Sequence, residues 1–155
     1  MLAVLFSVAS GVYALSCSQV IEVLPIMELR APAQAFAWHA GEFAYRGALV
    51  PVVDACQLIG GYTCSRRLSS RVALVHCTAE GLGQVIVGVL AERMTAVRHL
   101  DGTRLTSNKP AQLPYLGGIV KEGMELVQAL DVEGLLRFTL RALVEPATPP
   151  LEMPA

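Results

Sequence analysis

Short apolar runs separated by turns dominate the chain. The first two, Leu2 to Val8 and Val12 to Leu15, flank Ala9-Ser10-Gly11 and predict a β-hairpin. A third run, Gln19 to Leu24, is rich in β-branched residues and ends at Pro25, which has no N–H to donate to a sheet. Such runs recur at a spacing of roughly 8 to 12 residues, which is typical of barrels and sandwiches. The pattern therefore predicts a mainly β protein.

Three further hairpins are predicted along the chain, at residues 42 to 54, 71 to 90 and 113 to 130. The first of these turns at Arg46-Gly47, where glycine can adopt the positive φ that other residues resist. Residues 92 to 112 are charged and lack a clear alternation, so we expect an irregular connection with at most one short strand, Met94 to Leu100.

A helical period replaces the alternation after residue 130. Leucines recur on one helical face at positions 135, 136, 140 and 143, and Asp131 is suited to the N-cap. The prolines at positions 149, 150 and 154 cannot continue that helix. We therefore predict a short C-terminal helix and a flexible tail over residues 146 to 155.

The composition fits a protein that binds other proteins. A chain of 155 residues can bury a core without disulfides or metal, as one domain or two small interlocked ones. Hydrophobic residues make up 54% and charged residues 16%, so we expect partners to cover part of an apolar surface. The net charge of −1 provides no basic field for a phosphate backbone, and nucleic acid is not a predicted partner.

The apolar N-terminus leaves an alternative open. Ala14-Leu15-Ser16-Cys17 is similar to a lipoprotein cleavage box, so the chain could be an exported lipoprotein or a small-ligand sensor domain. However, no Lys or Arg precedes Arg30, whereas a secretory signal begins with a positive region. Interrupting serines and glycine also argue against a membrane-spanning helix. We therefore predict a cytoplasmic protein without direct membrane insertion.

Candidate catalytic and metal-binding residues are few. The four cysteines, Cys17, Cys56, Cys64 and Cys77, include no C-x-x-C pair, and the three histidines lie at no ligand spacing. Asp54 ends a strand without a recognisable nucleophile in its context, so we expect it to cap the next turn. The chain is predicted to have no catalytic activity, no cofactor and no metal site.

The most specific signal is the order of several short motifs. They are Val20-Ile21-Glu22-Val23, Tyr45-Arg46-Gly47, Val50-Pro51-Val52-Val53-Asp54, Val87-Gly88-Val89-Leu90 and Tyr115-Leu116-Gly117-Gly118. In this order they resemble the CheW family of chemotaxis coupling proteins, over nearly the whole chain. The resemblance implies an all-β fold of two intertwined five-stranded SH3-like β-barrels over residues 1 to 145, with a short C-terminal helix.

The resemblance also implies a function. Family members are non-catalytic adaptors that couple the cytoplasmic tip of a chemoreceptor to the regulatory domain of a histidine kinase. Matching by motif predicts a protein-binding surface at Val20, Glu22, Leu24, Arg46 and Gly47. The family pattern pairs the Glu22 carboxylate with the Arg46 guanidinium, a geometry in which Arg can bind both carboxylate oxygens.

The motifs depart from the family pattern at three places. Ala44 stands where asparagine is common, Glu42 where a small apolar residue is common, and Glu92-Arg93 where an Asp-Gly pair is common. These differences bear on which receptor is recognised. The Tyr45-Arg46-Gly47 version is most similar to adaptors of accessory chemosensory systems.

Overall fold

A computed structural model describes residues 1–32, 36–79, 81, 83–106 and 113–144. Its strands are β1 (Leu2–Val8), β2 (Gly11–Ser16), β3 (Val20–Pro25), β4 (His39–Tyr45), β5 (Ala48–Asp54), β6 (Arg71–Ala79), β7 (Gly83–His99), β8 (Leu116–Glu122) and β9 (Glu125–Leu130). One α-helix, α1 (Val132–Val144), follows β9. The mainly β prediction, its hairpins and the C-terminal helix are confirmed. The predicted tail over residues 146 to 155 lies outside the described residues.

The strands of the described chain form two five-stranded halves that share β7. The first half has the order β7-β1-β2-β9-β8, and the second has the order β3-β6-β7-β5-β4. The chain builds two strands of the first half, passes through the second half, and returns to complete the first. The two intertwined barrel-like halves implied by the resemblance are therefore confirmed, although the sheet does not close on itself.

We expected an irregular connection from residue 92 with at most one short strand, Met94 to Leu100; the strand is present, but the expected break before it is wrong for residues 92 to 99. They continue β7, a strand of 17 residues whose first part pairs with β6 and β5 and whose last part pairs with β1. The change of partner coincides with a bulge between Leu5 and Ser7 and with a positive φ of 52° at Arg93. Side chains 95 to 99 are all exposed, so the alternation that would have revealed the strand is missing.

Strand β1 contributes to two separate cores. Val4, Phe6 and Val8 belong to the larger cluster, whereas Ala3 and Leu5 belong to a smaller cluster on the opposite face. Successive side chains of a strand point to opposite faces, so a strand between two cores must be apolar at every position. This explains why β1 is apolar without interruption from Ala3 to Phe6, before the half-buried Ser7, and why its pattern is similar to that of an export signal.

Helix α1 closes the larger core. Asp131 accepts a hydrogen bond from the backbone N–H of Gly134 through Oδ1 at 3.0 Å, which confirms its role as N-cap. Leu135 and Leu136 are buried in the core behind this cap. The ring of Phe138 lies 5.4 Å from that of Trp38, which is partly buried and packs against the larger core.

Candidate docking surface

Strand β3 forms an edge of the second half, because within the described residues it pairs only with β6. Val20 and Leu24 are half-buried and Glu22 is exposed. Ile21 and Val23 are each 37% exposed. Exposed apolar side chains along an unpaired edge are typical of surfaces that bind another protein.

The β4–β5 hairpin carries the other predicted residues at its tip. Tyr45 pairs with Ala48, and the two residues between them, Arg46 and Gly47, have φ values of 48° and 80°. Two positive φ values define a type I′ turn, whose twist matches that of the flanking strands. The turn at Arg46-Gly47 is confirmed. The left-handed conformation of Arg46 is an addition to that prediction, which placed a positive φ at the glycine.

Tyr45 connects this hairpin tip to β3. Its hydroxyl donates a hydrogen bond to Glu22 Oε2 at 3.2 Å. Strands β3 and β4 are the two ends of the second half, so this side-chain contact joins edges that no backbone pairing joins. The motif Val20 to Val23 and the motif Tyr45-Arg46-Gly47 are thereby brought together, as the predicted surface requires.

Arg46 reaches the same place by a different contact from the one expected. Its guanidinium carbon lies 5.2 Å from the centroid of the Tyr45 ring, a cation–π arrangement. Among the described residues, the ion pairs do not include one between Glu22 and Arg46. The expected direct pair is therefore replaced by a relay, in which the Tyr45 hydroxyl is the partner of the carboxylate and the Tyr45 ring is the platform for the cation.

A second link at the β4 edge was missed by sequence reasoning. Arg30 and Glu42 exchange two backbone hydrogen bonds, of 2.9 and 3.0 Å, and their side chains lie 3.4 Å apart from Nε to Oε1. Arg30 is 73% exposed, so this ion pair contributes at most about 1 kcal/mol. The unusual acid at position 42 was its one signal in the sequence, since nothing local indicates which residue will face it.

Asp54 is a structural residue. Its Oδ1 accepts the backbone N–H of Gln57 at 3.1 Å, and its Oδ2 accepts that of Cys64 at 3.0 Å. The expected capping role is confirmed and extends to a loop ten residues away. Burial raises the pKa of Asp54, and the hydrogen bonds from the backbone oppose that shift.

Two free cysteines lie beside this carboxylate. The sulfur atoms of Cys56 and Cys64 and a carboxylate oxygen of Asp54 all lie within 4.8 Å of one another, and all three residues are buried. Cys56 and Cys64 do not form a C-x-x-C motif, so their spacing in the sequence does not indicate that the loop between β5 and β6 brings them together.

Within the part of the chain that the structure describes, no helix combines the length and the apolar character needed to cross a bilayer.

Comparison with known proteins places the chain in a family. Residues 2–139 match the family model described as CheW-like domain. The crystal structure of scaffolding protein TtCheW from Thermoanaerobacter tengcongensis is similar in fold, with a TM-score of 0.72, 21% sequence identity and 84% of each chain covered. No curated protein matches the chain. Because the family model spans most of the sequence and the fold agrees, the chain belongs to the CheW-like domain family.

Proposed function

We propose that this protein is a non-catalytic adaptor that couples the cytoplasmic tip of a chemoreceptor to the regulatory domain of a histidine kinase in the cytoplasm. The observation that carries the proposal is the family match over residues 2–139. An adaptor acts by holding two partners near each other, which raises their effective concentration and requires no reacting groups of its own.

The receptor-side surface consists of the β3 edge and the tip of the β4–β5 hairpin. Exposed apolar side chains supply contact area, with Ile21 and Val23 on β3 and Leu49, which is 54% exposed, just after the turn. Glu22 and Arg46 add one charge of each sign beside them. Apolar area gives affinity, and paired charges select orientation and partner, so this combination suits recognition of a protein surface.

Charge reversal at Glu22 tests the receptor side. We expect Glu22→Lys to weaken binding of a purified receptor cytoplasmic fragment by about tenfold or more, because it breaks the contact with Tyr45 and reverses the charge of the surface. Binding to the kinase regulatory domain and the melting temperature should change little, since Glu22 is exposed. Isothermal titration calorimetry with each partner separately measures both affinities.

The matched control is Glu125→Lys, an exposed acid on β9 in the other half of the molecule. It also reverses an exposed charge, and receptor binding should survive it. An equal loss of receptor binding in both variants would contradict the assignment of this surface. It would not contradict the adaptor function. Failure of the unsubstituted chain to bind either partner at high micromolar concentration would overturn the function itself.

The alternative, an exported lipoprotein or small-ligand sensor, has little support from the fold. Cleavage before Cys17 would remove β1 and β2, which contribute Phe6 and Leu15 to the core. A sensor would need a ligand site, and one candidate among the described residues is an open cleft of about 630 Å³, lined by Met1, His99, Leu100, Asp101, Gly102, Thr103 and Glu122. Mass spectrometry of the native protein decides about export, because an unlipidated chain that retains residues 2 to 16 rejects it.

A further inference from the structure

Two thiols meet in the core beneath the loop between β5 and β6. Cys56 is 0% exposed and begins the helical turn Cys56–Gly60, and Cys64 is 4% exposed and lies in the loop that follows. The chain doubles back between them, so that their sulfur atoms lie within 4.8 Å of each other. The other two cysteines, Cys17 and Cys77, do not belong to this cluster.

The neighbouring carboxylate does not favour a metal site. Both oxygens of Asp54 already accept backbone N–H groups, those of Gln57 and Cys64, and these bonds hold the loop in place. Thiophilic metals such as zinc usually take four ligands in a structural site, and the described residues bring three groups together here. The carboxylate is therefore engaged in anchoring the loop, and the two adjacent thiols are the groups that remain.

We propose that Cys56 and Cys64 are a redox modification site, a dithiol that hydrogen peroxide converts to an intramolecular disulfide. This inference is independent of the adaptor function, because the two thiols lie in the interior of the second half and their reaction needs no protein partner. Disulfides of proteins in reducing compartments are usually transient and redox-sensing, which is the class to which this site would belong.

The reaction is balanced with one equivalent of peroxide. The Cys56 sulfur attacks one peroxide oxygen, the O–O bond breaks, and a sulfenic acid and one water form. The Cys64 sulfur then attacks the sulfenic sulfur, the S–O bond breaks, and the oxygen leaves with a proton as a second water. The two sulfurs together lose two electrons, and peroxide is reduced to two waters.

The surroundings of the two thiols favour one order of attack. The contact with the Cys64 thiol lowers the pKa of Cys56, whereas the same contact and burial raise the pKa of Cys64. The thiolate is the reactive form of cysteine, so these pKa directions favour Cys56 for the first attack and Cys64 for the resolving step; the reaction balances equally in the reverse order.

Closing the bond requires the loop to move. The sulfurs must approach from within 4.8 Å to about 2.05 Å, and peroxide must first reach a buried thiol. Tyr62 lies in this loop, and its hydroxyl accepts a hydrogen bond from the backbone N–H of Ala9 at 2.6 Å, in the turn between β1 and β2. Oxidation should therefore be slow compared with that of an exposed thiol and should be limited by opening of the loop.

A variant with Cys17→Ser and Cys77→Ser isolates the pair in the full-length chain. After peroxide treatment, we expect its intact mass to fall by two hydrogens, both remaining thiols to resist alkylation, and dithiothreitol to restore them. Trypsin leaves both cysteines on one peptide, residues 47 to 66, and chymotryptic cleavage after Tyr62 should give two fragments that stay joined until reduction. Adding Cys64→Ser to this variant is the matched control, in which the loss of two hydrogens must disappear.

The unsubstituted chain provides a check that does not depend on folding of a variant. After peroxide treatment of the folded wild-type protein, differential alkylation should find Cys56 and Cys64 protected. Peptide analysis should find the two fragments that carry them joined by a disulfide. The proposal is overturned if both thiols stay free while Cys17 and Cys77 are oxidised, or if Cys56 proceeds to sulfinic acid without forming a disulfide with Cys64. Zinc that copurifies at one equivalent and is lost in the Cys56→Ser variant would also overturn it.

Discussion

At the scale of single residues, Tyr45 decides how the candidate docking surface is assembled. The sequence motif draws attention to the charges of Glu22 and Arg46, yet both contact the tyrosine between them in space. An exposed hydrogen bond and an exposed cation–π contact are each worth about 1 kcal/mol or less. Their role is therefore to orient the hairpin tip toward β3 more than to stabilise the fold.

Removing the Tyr45 hydroxyl tests this role. We expect Tyr45→Phe to lower the free energy of unfolding by less than about 1 kcal/mol, because the ring and its contact with Arg46 remain. Receptor binding should weaken because Glu22 loses its partner. Chemical denaturation and calorimetry measure the two effects. Tyr13→Phe is the control, since Tyr13 is a half-buried residue on β2, away from the candidate docking surface. Equal receptor affinity for the two variants would contradict the relay.

Asp54 provides a prediction about pH. Burial raises its pKa in the folded protein above the ordinary value of 3.8, so the folded state holds this proton more tightly than the unfolded state does. The stability that the proton supplies is complete below that ordinary value and is lost as pH rises through the folded-state pKa. Denaturation of wild type and Asp54→Asn at a series of pH values, from below the ordinary pKa to above the folded-state pKa, measures the free energy of unfolding. The decrease of this free energy with pH that comes from Asp54 should be absent from the variant.

A result of the opposite sign would show that the backbone hydrogen bonds outweigh burial. Stability of the wild type relative to Asp54→Asn would then increase as pH rises through the same window. Both outcomes are read from the difference between the two proteins, because other carboxylates titrate in the same range.

At the scale of elements, helix α1 shows how a close contact can override a local preference. Gly134 lies in the first turn of α1, where glycine is unfavourable for a helix. A Cβ atom built at this position would collide with the backbone carbonyl oxygen of Pro114. The glycine therefore allows α1 to approach the segment before β8, and this approach places Leu135 and Leu136 in the core.

Gly134→Ala should destabilise the protein although alanine favours helices. We expect a loss of about 1 to 3 kcal/mol, because the new methyl group meets backbone that cannot rotate away. Thermal or denaturant unfolding measures it. Glu133→Ala, at the neighbouring exposed position, is the control and should change stability by about 0.5 kcal/mol or less. A Gly134→Ala protein as stable as wild type would show that the helix shifts without cost.

At the scale of the whole molecule, the two halves are joined through shared strands. β7 pairs in both halves, and β1 sends side chains into both cores. A perturbation on either face of β1 therefore reaches the other half. We infer that the two halves unfold together, as one cooperative unit.

Substitutions on opposite faces of β1 test this coupling. Phe6→Ala opens a cavity in the larger core and should cost about 3 to 5 kcal/mol, and Leu5→Ala in the smaller core should cost about 2 to 5 kcal/mol. Calorimetry should show a single transition for each variant, at a lower temperature than for wild type. Two resolved transitions in the Leu5→Ala protein would contradict the shared unit.

The sequence by itself determined most of the local elements, because hairpins and helix ends depend on nearby residues. The turn at Arg46-Gly47, the cap at Asp131 and the leucine face of α1 are all encoded within a few positions. Motif order was sufficient to identify the family and, with it, the twin five-stranded arrangement.

Only the tertiary structure decided the contacts between distant segments. These contacts join residues whose own neighbourhoods do not indicate a partner. They are the continuity of β7, the relay from Glu22 through Tyr45 to Arg46, the Arg30–Glu42 link and the proximity of Cys56 to Cys64. Alternation fails where side chains on both faces are exposed, as in residues 95 to 99. Side-chain contacts between two edges of a sheet, such as β3 and β4, depend on the relative position of those edges. Packing of the whole chain fixes that position.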